Sequence, residues 1–242
     1  MRVCVGFDSY DSTRRDALSI GFGEMINAPR THLFEAASND TIKRGLTTQA
    51  VFQEALNRAS PLVTTFSGSG LGDQLRTVAR LIALRSSFGV KRQIFFCSIG
   101  GFVTHGEDQL QDQAQLLGIV SDAMSAFYRA TVELGVASQV TSFTMSDFGR
   151  DFPVNGSGGS DHGWGSHHLV VGGAVKGKQL FGSFPTLRVN GPDDTSGGRC
   201  IPTTATGQYA AAIGGNFGLT SGELTQAFPT LNRFSAGPLP IF

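Results

Sequence analysis

Apolar residues recur at three- and four-residue spacing over residues 11–27 and again over 33–58, with Pro29 between them. This pattern predicts two helices. Pro61 and Ser67-Gly-Ser-Gly70 close the block. From Leu71 to Phe88 the stripe Leu75, Val78, Ala79, Ile82 stands apart from Arg76, Arg80 and Arg85, and Gly89 supplies a stop, so a third helix is expected. Near residue 90 the pattern changes. Gln93–Ile99 is a short apolar run that reads as a buried strand ending at Gly100-Gly101. Helical spacing returns from Glu107 to Leu134 and ends at Gly135. Val140–Met145, β-branched and aromatic, reads as a second strand, His168–Gly172 as a third, and Gln179–Phe181 as a short one. Thr206–Phe217 and Ser221–Phe228 read as helices, and the tail Pro238–Phe242 as extended chain.

A strand, a long helix and a strand imply two parallel strands joined by a crossover. The expected fold is therefore α/β, a mainly parallel sheet flanked by helices, in a single domain over 1–242. Residues 1–70 form a mostly helical lead-in, and 71–230 form the α/β core. In such sheets ligands bind beyond the carboxyl ends of the strands. That rule selects two loops, Gly100–Asp108 and Ser146–Trp164.

Composition narrows the functional classes. The 242 residues carry 19 basic and 19 acidic side chains, a net charge of zero, and only 16% are charged. So few clustered cations argue against a nucleic-acid groove and against a polybasic membrane patch. No apolar run approaches the ~20 residues of a membrane span. Met1–Asp8 lacks a charged segment followed by an apolar one, so no signal peptide is expected. Cys4, Cys97 and Cys200 are too few and too scattered for a disulfide framework or a four-thiolate zinc site. Cys97, inside Ile94-Phe-Phe-Cys-Ser-Ile99, reads as a small buried hydrophobe. The 32 glycines concentrate in the second half and point to loops.

Titratable residues fall in the two selected loops. His105 lies in the first, and Asp147, Asp161 and His162 lie in the second. Imidazole and carboxylate groups are suitable ligands for zinc, manganese or iron, and mixed sites of this kind suit hydrolysis by a metal-activated water. Each residue also has a structural reading. Asp147 either ligates, caps the turn after its strand, or pairs with Arg150. Asp161-His162 is either a ligand pair or a solvated turn. Arg150 either clasps a phosphate or sulfate or makes a structural ion pair. His167 and His168 are neighbours, so on a strand only one of them can face a common site. Trp164 either walls a pocket or packs. The Gly/Ser stretches Ser67–Gly70 and Asn155–Gly159 lack the spacing of a phosphate-binding loop, and no Gly-x-Ser-x-Gly elbow stands between a strand and a helix.

Three ordered motifs resemble a known family. They are Gln93-Ile-Phe-Phe-Cys-Ser-Ile-Gly-Gly-Phe-Val-Thr-His105, Phe143-Thr-Met-Ser-Asp-Phe-Gly-Arg150, and Asn155-Gly-Ser-Gly-Gly-Ser-Asp-His-Gly-Trp-Gly-Ser-His-His168, which Val171-Gly-Gly-Ala-Val-Lys-Gly177 extends. They resemble domain-of-unknown-function family 1501 from about residue 70 to 230, and more loosely to the N-terminus. The resemblance implies export by the twin-arginine route, a periplasmic or exported location, and kinship with the alkaline phosphatase and sulfatase superfamily. It implies an alkaline-phosphatase-like fold here lacking its N-terminal part. It also implies a divalent metal (zinc, manganese, calcium or iron), with His105, Asp147, Asp161 and His162 at the metal and Arg150 toward the substrate anion.

Two positions depart from the pattern. Val103 stands where the family usually has Asp, and Phe148 stands where the superfamily often has His. The section that carries the first metal carboxylate and the nucleophile in the superfamily is also missing. The expected function is thus a metal-dependent phosphoric or sulfuric ester hydrolase, incomplete in this chain. The alternative is a non-catalytic structural or binding subunit on the same scaffold, a pseudoenzyme. Missing sheet partners leave an open strand edge, which predicts a homo-oligomer or a second chain completing the fold.

Overall fold

The computed structural model describes residues 11–242. Cys4 and the stretch Met1–Asp8 lie outside the described residues. The chain divides into two compact units, Met1–Ser60 and Pro61–Phe242.

In the first unit, α1 (Ser12–Asn27) and α2 (Leu33–Arg58) pack together, joined across Pro29. Asp11 caps α1 by accepting the Arg14 N–H at 3.0 Å. Ile26 is buried, whereas α2 has no buried residue, so this unit has a thin core.

The second unit is built on α3 (Gly70–Ala83) and α5 (Gln109–Glu133). Ser69 caps α3 by accepting the Gly72 N–H at 3.0 Å. A short α4 (Arg85–Phe88) follows, and it ends at Gly89, whose φ of +62° suits glycine. Ala79, Ala126 and Ala130 are buried with Val78, Ile82 and Phe127, and Phe66 and Val136 seal the cluster. The small side chains let the two helices approach closely, and the large ones fill the space around them. The Glu133 carboxylate ties the end of α5 to the chain before α3. It accepts the Val63 and Thr64 N–H groups at 2.7 and 2.8 Å and the Thr64 hydroxyl at 2.6 Å.

Four short strands follow: β1 (Thr141–Phe143), β2 (Gly149–Arg150), β3 (His162–Gly163) and β4 (Val170–Gly172). They form two separate antiparallel pairs. β1 pairs with β4 in the register Ser142↔Val171, and β2 pairs with β3 in the register Arg150↔His162. α6 (Thr206–Phe217) and α7 (Ser221–Ala227) complete the unit. Tyr209 and Ala212 of α6 bury against Ile241 of the tail, and the Lys176 N–H donates to the Ile241 carbonyl at 2.8 Å. No helix among the described residues is long and apolar enough to cross a membrane.

The mainly parallel, helix-flanked sheet expected from the sequence is therefore wrong, and with it the alkaline-phosphatase-like architecture. The described residues contain only two-stranded antiparallel sheets. The physical reason is pairing. β1 joins the next long strand along the chain, β4, and not the segment before α5. Gln93–Ile99 lies in no helix or strand and pairs with no strand among the described residues. Its burial still alternates. Phe95, Cys97 and Ile99 pack on the α3–α5 core, while Ile94 and Phe96 are 80% and 91% exposed. Gln179–Phe181 is not in a strand either.

Candidate functional site

The two loops singled out from the sequence meet, although the described residues form no parallel sheet. Gly106 and Gly158 form an isolated antiparallel bridge. Gly159 lies so close to the His105 backbone that a Cβ there would overlap the His105 carbonyl group. The Gln109 amide donates to the Ser160 hydroxyl at 2.8 Å.

Arg150 holds the loops together from beneath. One terminal nitrogen donates to the Ser160 carbonyl at 2.7 Å, and the other donates to the Phe102 carbonyl. Its Nε is buried with no partner among the described residues. The guanidinium lies 5.2 Å from the centre of the Phe148 ring. Both terminal nitrogens are committed to backbone, so the arginine acts as a brace between loops.

Above the brace sits an aromatic stack. Phe148 and His162 lie 4.1 Å apart at 9°, and His162 and His105 lie 4.9 Å apart at 23°. The β2–β3 pairing sets this order, because it puts Arg150 directly opposite His162. The Nδ1 of His105 lies 3.4 Å from Oδ1 of Asp161. The Asn155 amide donates to the same carboxylate oxygen at 3.0 Å. That bond, with smaller contributions from His105 and Arg199, holds the Asp161 carboxyl below its ordinary value. The Asp161 N–H donates to Asp151 at 2.8 Å. The Asp151 side chain is only 7% exposed and lies 3.7 Å from Arg199.

The structure thus brings His105, Asp161, His162 and Arg150 together. It does not bring Asp147 to them. Asp147 is exposed, with no hydrogen bond or ion pair among the described residues. The turn there is closed by Ser146, whose hydroxyl donates to the Phe148 carbonyl at 2.8 Å. Val103 is 57% exposed, and Trp164 is 61% exposed. His167 stacks on Phe184, and the partly buried His168 stacks on Tyr209, away from the His105 cluster. Among the described residues no three His, Cys, Asp or Glu side chains converge on one ion position.

The family model described as "Protein of unknown function (DUF1501)" matches residues 31–219. The chain belongs to this family. The matched span of this DUF1501 chain contains every residue of the cluster. No curated protein and no solved structure matches the chain.

Three functional neighbours escaped the sequence reading. Phe148 stands out in the sequence only as a departure, yet its ring sandwiches His162 against His105. Asn155 and Asp151 hold Asp161 in place. For Asn155 a signal existed in Asn155-Gly156. An asparagine before glycine commonly folds its side chain back onto the following backbone. Here its carbonyl accepts the Ser157 and Gly159 N–H groups at 2.9 and 3.2 Å.

Proposed function

We propose that this chain is a member of the metal-dependent phosphoric and sulfuric ester hydrolases that its motifs resemble. The observation that carries this reading is the meeting of His105 and His162, from two separate loops, with Asp161 on the Nδ1 side of His105. Kinship with the alkaline phosphatase and sulfatase superfamily rests on the motifs and not on sheet architecture. Twin-arginine export and a periplasmic or exported location belong to the same proposal.

The donor types fit a metal, but their number does not complete a site. A carboxylate at Nδ1 favours the tautomer that carries its proton there and leaves the Nε2 lone pair of His105 for a ligand. Paired imidazoles suit zinc, manganese or iron better than calcium, which prefers oxygen ligands. His105 and His162 would hold the metal, with Asp161 orienting His105 from behind. When bound, the metal supplies a Lewis acid to the ester oxygen. Asn155 and Asp151 keep Asp161 in place, and Arg150 keeps the two loops in register. Asp147, exposed and with no hydrogen bond or ion pair among the described residues, would be the nearest sequence-selected carboxylate to add as a third ligand.

The experiment is hydrolysis of aryl phosphate and aryl sulfate esters with each metal supplied in turn. Slow metal-dependent turnover, abolished in His105→Ala and raised in Val103→Asp, supports the reading. Metal binding without turnover on any ester, in wild type and Val103→Asp alike, removes the catalytic part. A second reading would then stand, a non-catalytic binding or structural subunit. The observation that favours it is the commitment of both terminal nitrogens of Arg150 to carbonyls, which leaves no fork for a substrate anion.

A further inference from the structure

The inward face of α5 changes chemistry toward its N-terminal end. Val120, Ala123, Met124 and Phe127 are buried on that face. Counted back from Val120 by fours and threes, the same face carries Leu116, then Gln113, then Gln109. Both glutamines are partly buried, whereas Gln111 and Gln115 are exposed. A carboxamide on an inward face costs stability unless its hydrogen bonds are met. Here they are met by the two loops that carry the histidine pair. Gln113 donates to the Thr104 hydroxyl at 2.9 Å and to the Phe102 carbonyl at 3.3 Å. Gln109 donates to the Ser160 hydroxyl at 2.8 Å. Thr104 directly precedes His105, and Ser160 directly precedes Asp161-His162. Thr104 and Ser160 are each only 5% exposed, so both anchor points are buried. Arg150 donates to the carbonyls of Phe102 and Ser160, the same two segments. The helix, the first loop, the arginine and the second loop thus form a closed ring of hydrogen bonds.

We propose that Gln109 and Gln113 are positioning residues for the His105–His162 pair, and that the N-terminal end of α5 sets the gap between the two imidazoles. This deepens the reading of the pair as a metal site and rests on it, because a fixed gap matters only if both imidazoles meet one ion. The helix supplies a rigid spacing. Residues four apart lie on one face about 6 Å apart along the axis, and each glutamine holds the residue next to a histidine-bearing step of its own loop. Groups that orient metal ligands from behind matter because a small displacement of a ligand atom weakens the bond to the ion. The glutamines stand apart from what holds the helix in the fold. The apolar contacts that join α5 to the rest of its unit run from Ile119 onward, through Val120, Met124 and Phe127. Losing one carboxamide therefore loosens a loop and leaves the helix seated.

The test is nuclear magnetic resonance on the metal-free full chain, with its five histidines labelled with carbon-13. Wild type is expected to show a cross-relaxation peak between the ring protons of His105 and His162, whose centroids lie 4.9 Å apart. Gln109→Met and Gln113→Met keep the side-chain length and remove the donor. Each is expected to lose that peak while the methyl signals of the α3–α5 core stay in place. Gln109→Glu can still accept a proton from the Ser160 hydroxyl, so it is expected to keep the peak. Gln111→Met, on the exposed face, is expected to change nothing. In a second arm, zinc is expected to bind each of the two inward-face Met variants about tenfold more weakly than wild type. A peak that persists in Gln109→Met and Gln113→Met overturns the proposal, and so does a wild type without the peak. Core methyl signals that collapse together with the peak also overturn it, because the glutamines would then hold the fold and not the pair. Equal zinc affinity after loss of the peak does the same. The peak is read without metal, so the two proposals fail separately. A peak that behaves as expected in a wild type that binds no zinc ends the metal reading and leaves the positioning of the pair standing.

Discussion

Replacing Arg150 separates a brace from an anion clasp. Arg150→Ala removes hydrogen bonds to the Ser160 and Phe102 carbonyls. Hydrogen bonds to a charged donor contribute about 1.5–3 kcal/mol each. The freed side chain of the wild type would regain roughly 1.5–2 kcal/mol of rotamer entropy on unfolding, which offsets part of the gain. The net loss expected is about 2–4 kcal/mol. Urea denaturation is the assay, followed by the fluorescence of Trp164, the single tryptophan, which lies in the same loop as Asp161 and His162. At a slope of about 2 kcal/mol per molar urea, the midpoint falls by ~1–2 M. Arg150→Lys keeps the charge but reaches one carbonyl at a time, and it is expected to lose about half as much. A midpoint that moves by less than ~0.3 M in Arg150→Ala, while sulfate affinity drops, would refute the brace and restore the anion role.

Other outcomes follow from the same geometry. Ala130 has no exposed surface in the α3–α5 core, so Ala130→Leu overpacks it and is expected to lose about 1–3 kcal/mol in the same urea assay. Burial against Tyr209, with a smaller contribution from the charge of His167, pushes the His168 imidazole below the ordinary histidine value of 6.5. The fold therefore favours neutral His168, and its contribution is complete above pH 6.5 and lost as pH falls from there to the folded-state value. His168→Phe is expected to flatten the fall in melting temperature over that acidic window, and an unchanged slope would contradict the assignment. A methyl at Gly159 overlaps the His105 carbonyl group, so Gly159→Ala is expected to part the two loops and weaken any metal binding, whereas Gly156→Ala, in open space, leaves both intact.

The helices were legible in the sequence because their determinants are local. Residues 33–58 and Thr206–Phe217 are helical over the spans that their apolar spacing predicted. Strand pairing was not legible. The run Gln93–Ile99 has strand composition and alternating burial, but composition does not name a partner, and β1 took β4 instead. The site was half legible. Residue type and loop position picked out His105, Asp161 and His162, which do meet. The same reasoning picked out Asp147, which lies apart, because a carboxylate after a strand reads the same whether or not its loop turns inward. The role of Arg150 was open between anion and structure. The structure adds its hydrogen bonds to two backbone carbonyls, which no side-chain pattern encodes.

Zinc titration by calorimetry decides whether His105 and His162 hold a metal as proposed. A four-ligand zinc site supplies ~10–16 kcal/mol, so two imidazoles with one orienting carboxylate are expected to give about half, a dissociation constant of roughly 1–200 µM. Wild type is expected to bind one equivalent at that strength, and His162→Ala is expected to lose the binding. No binding by wild type, or equal binding by His162→Ala, would contradict it.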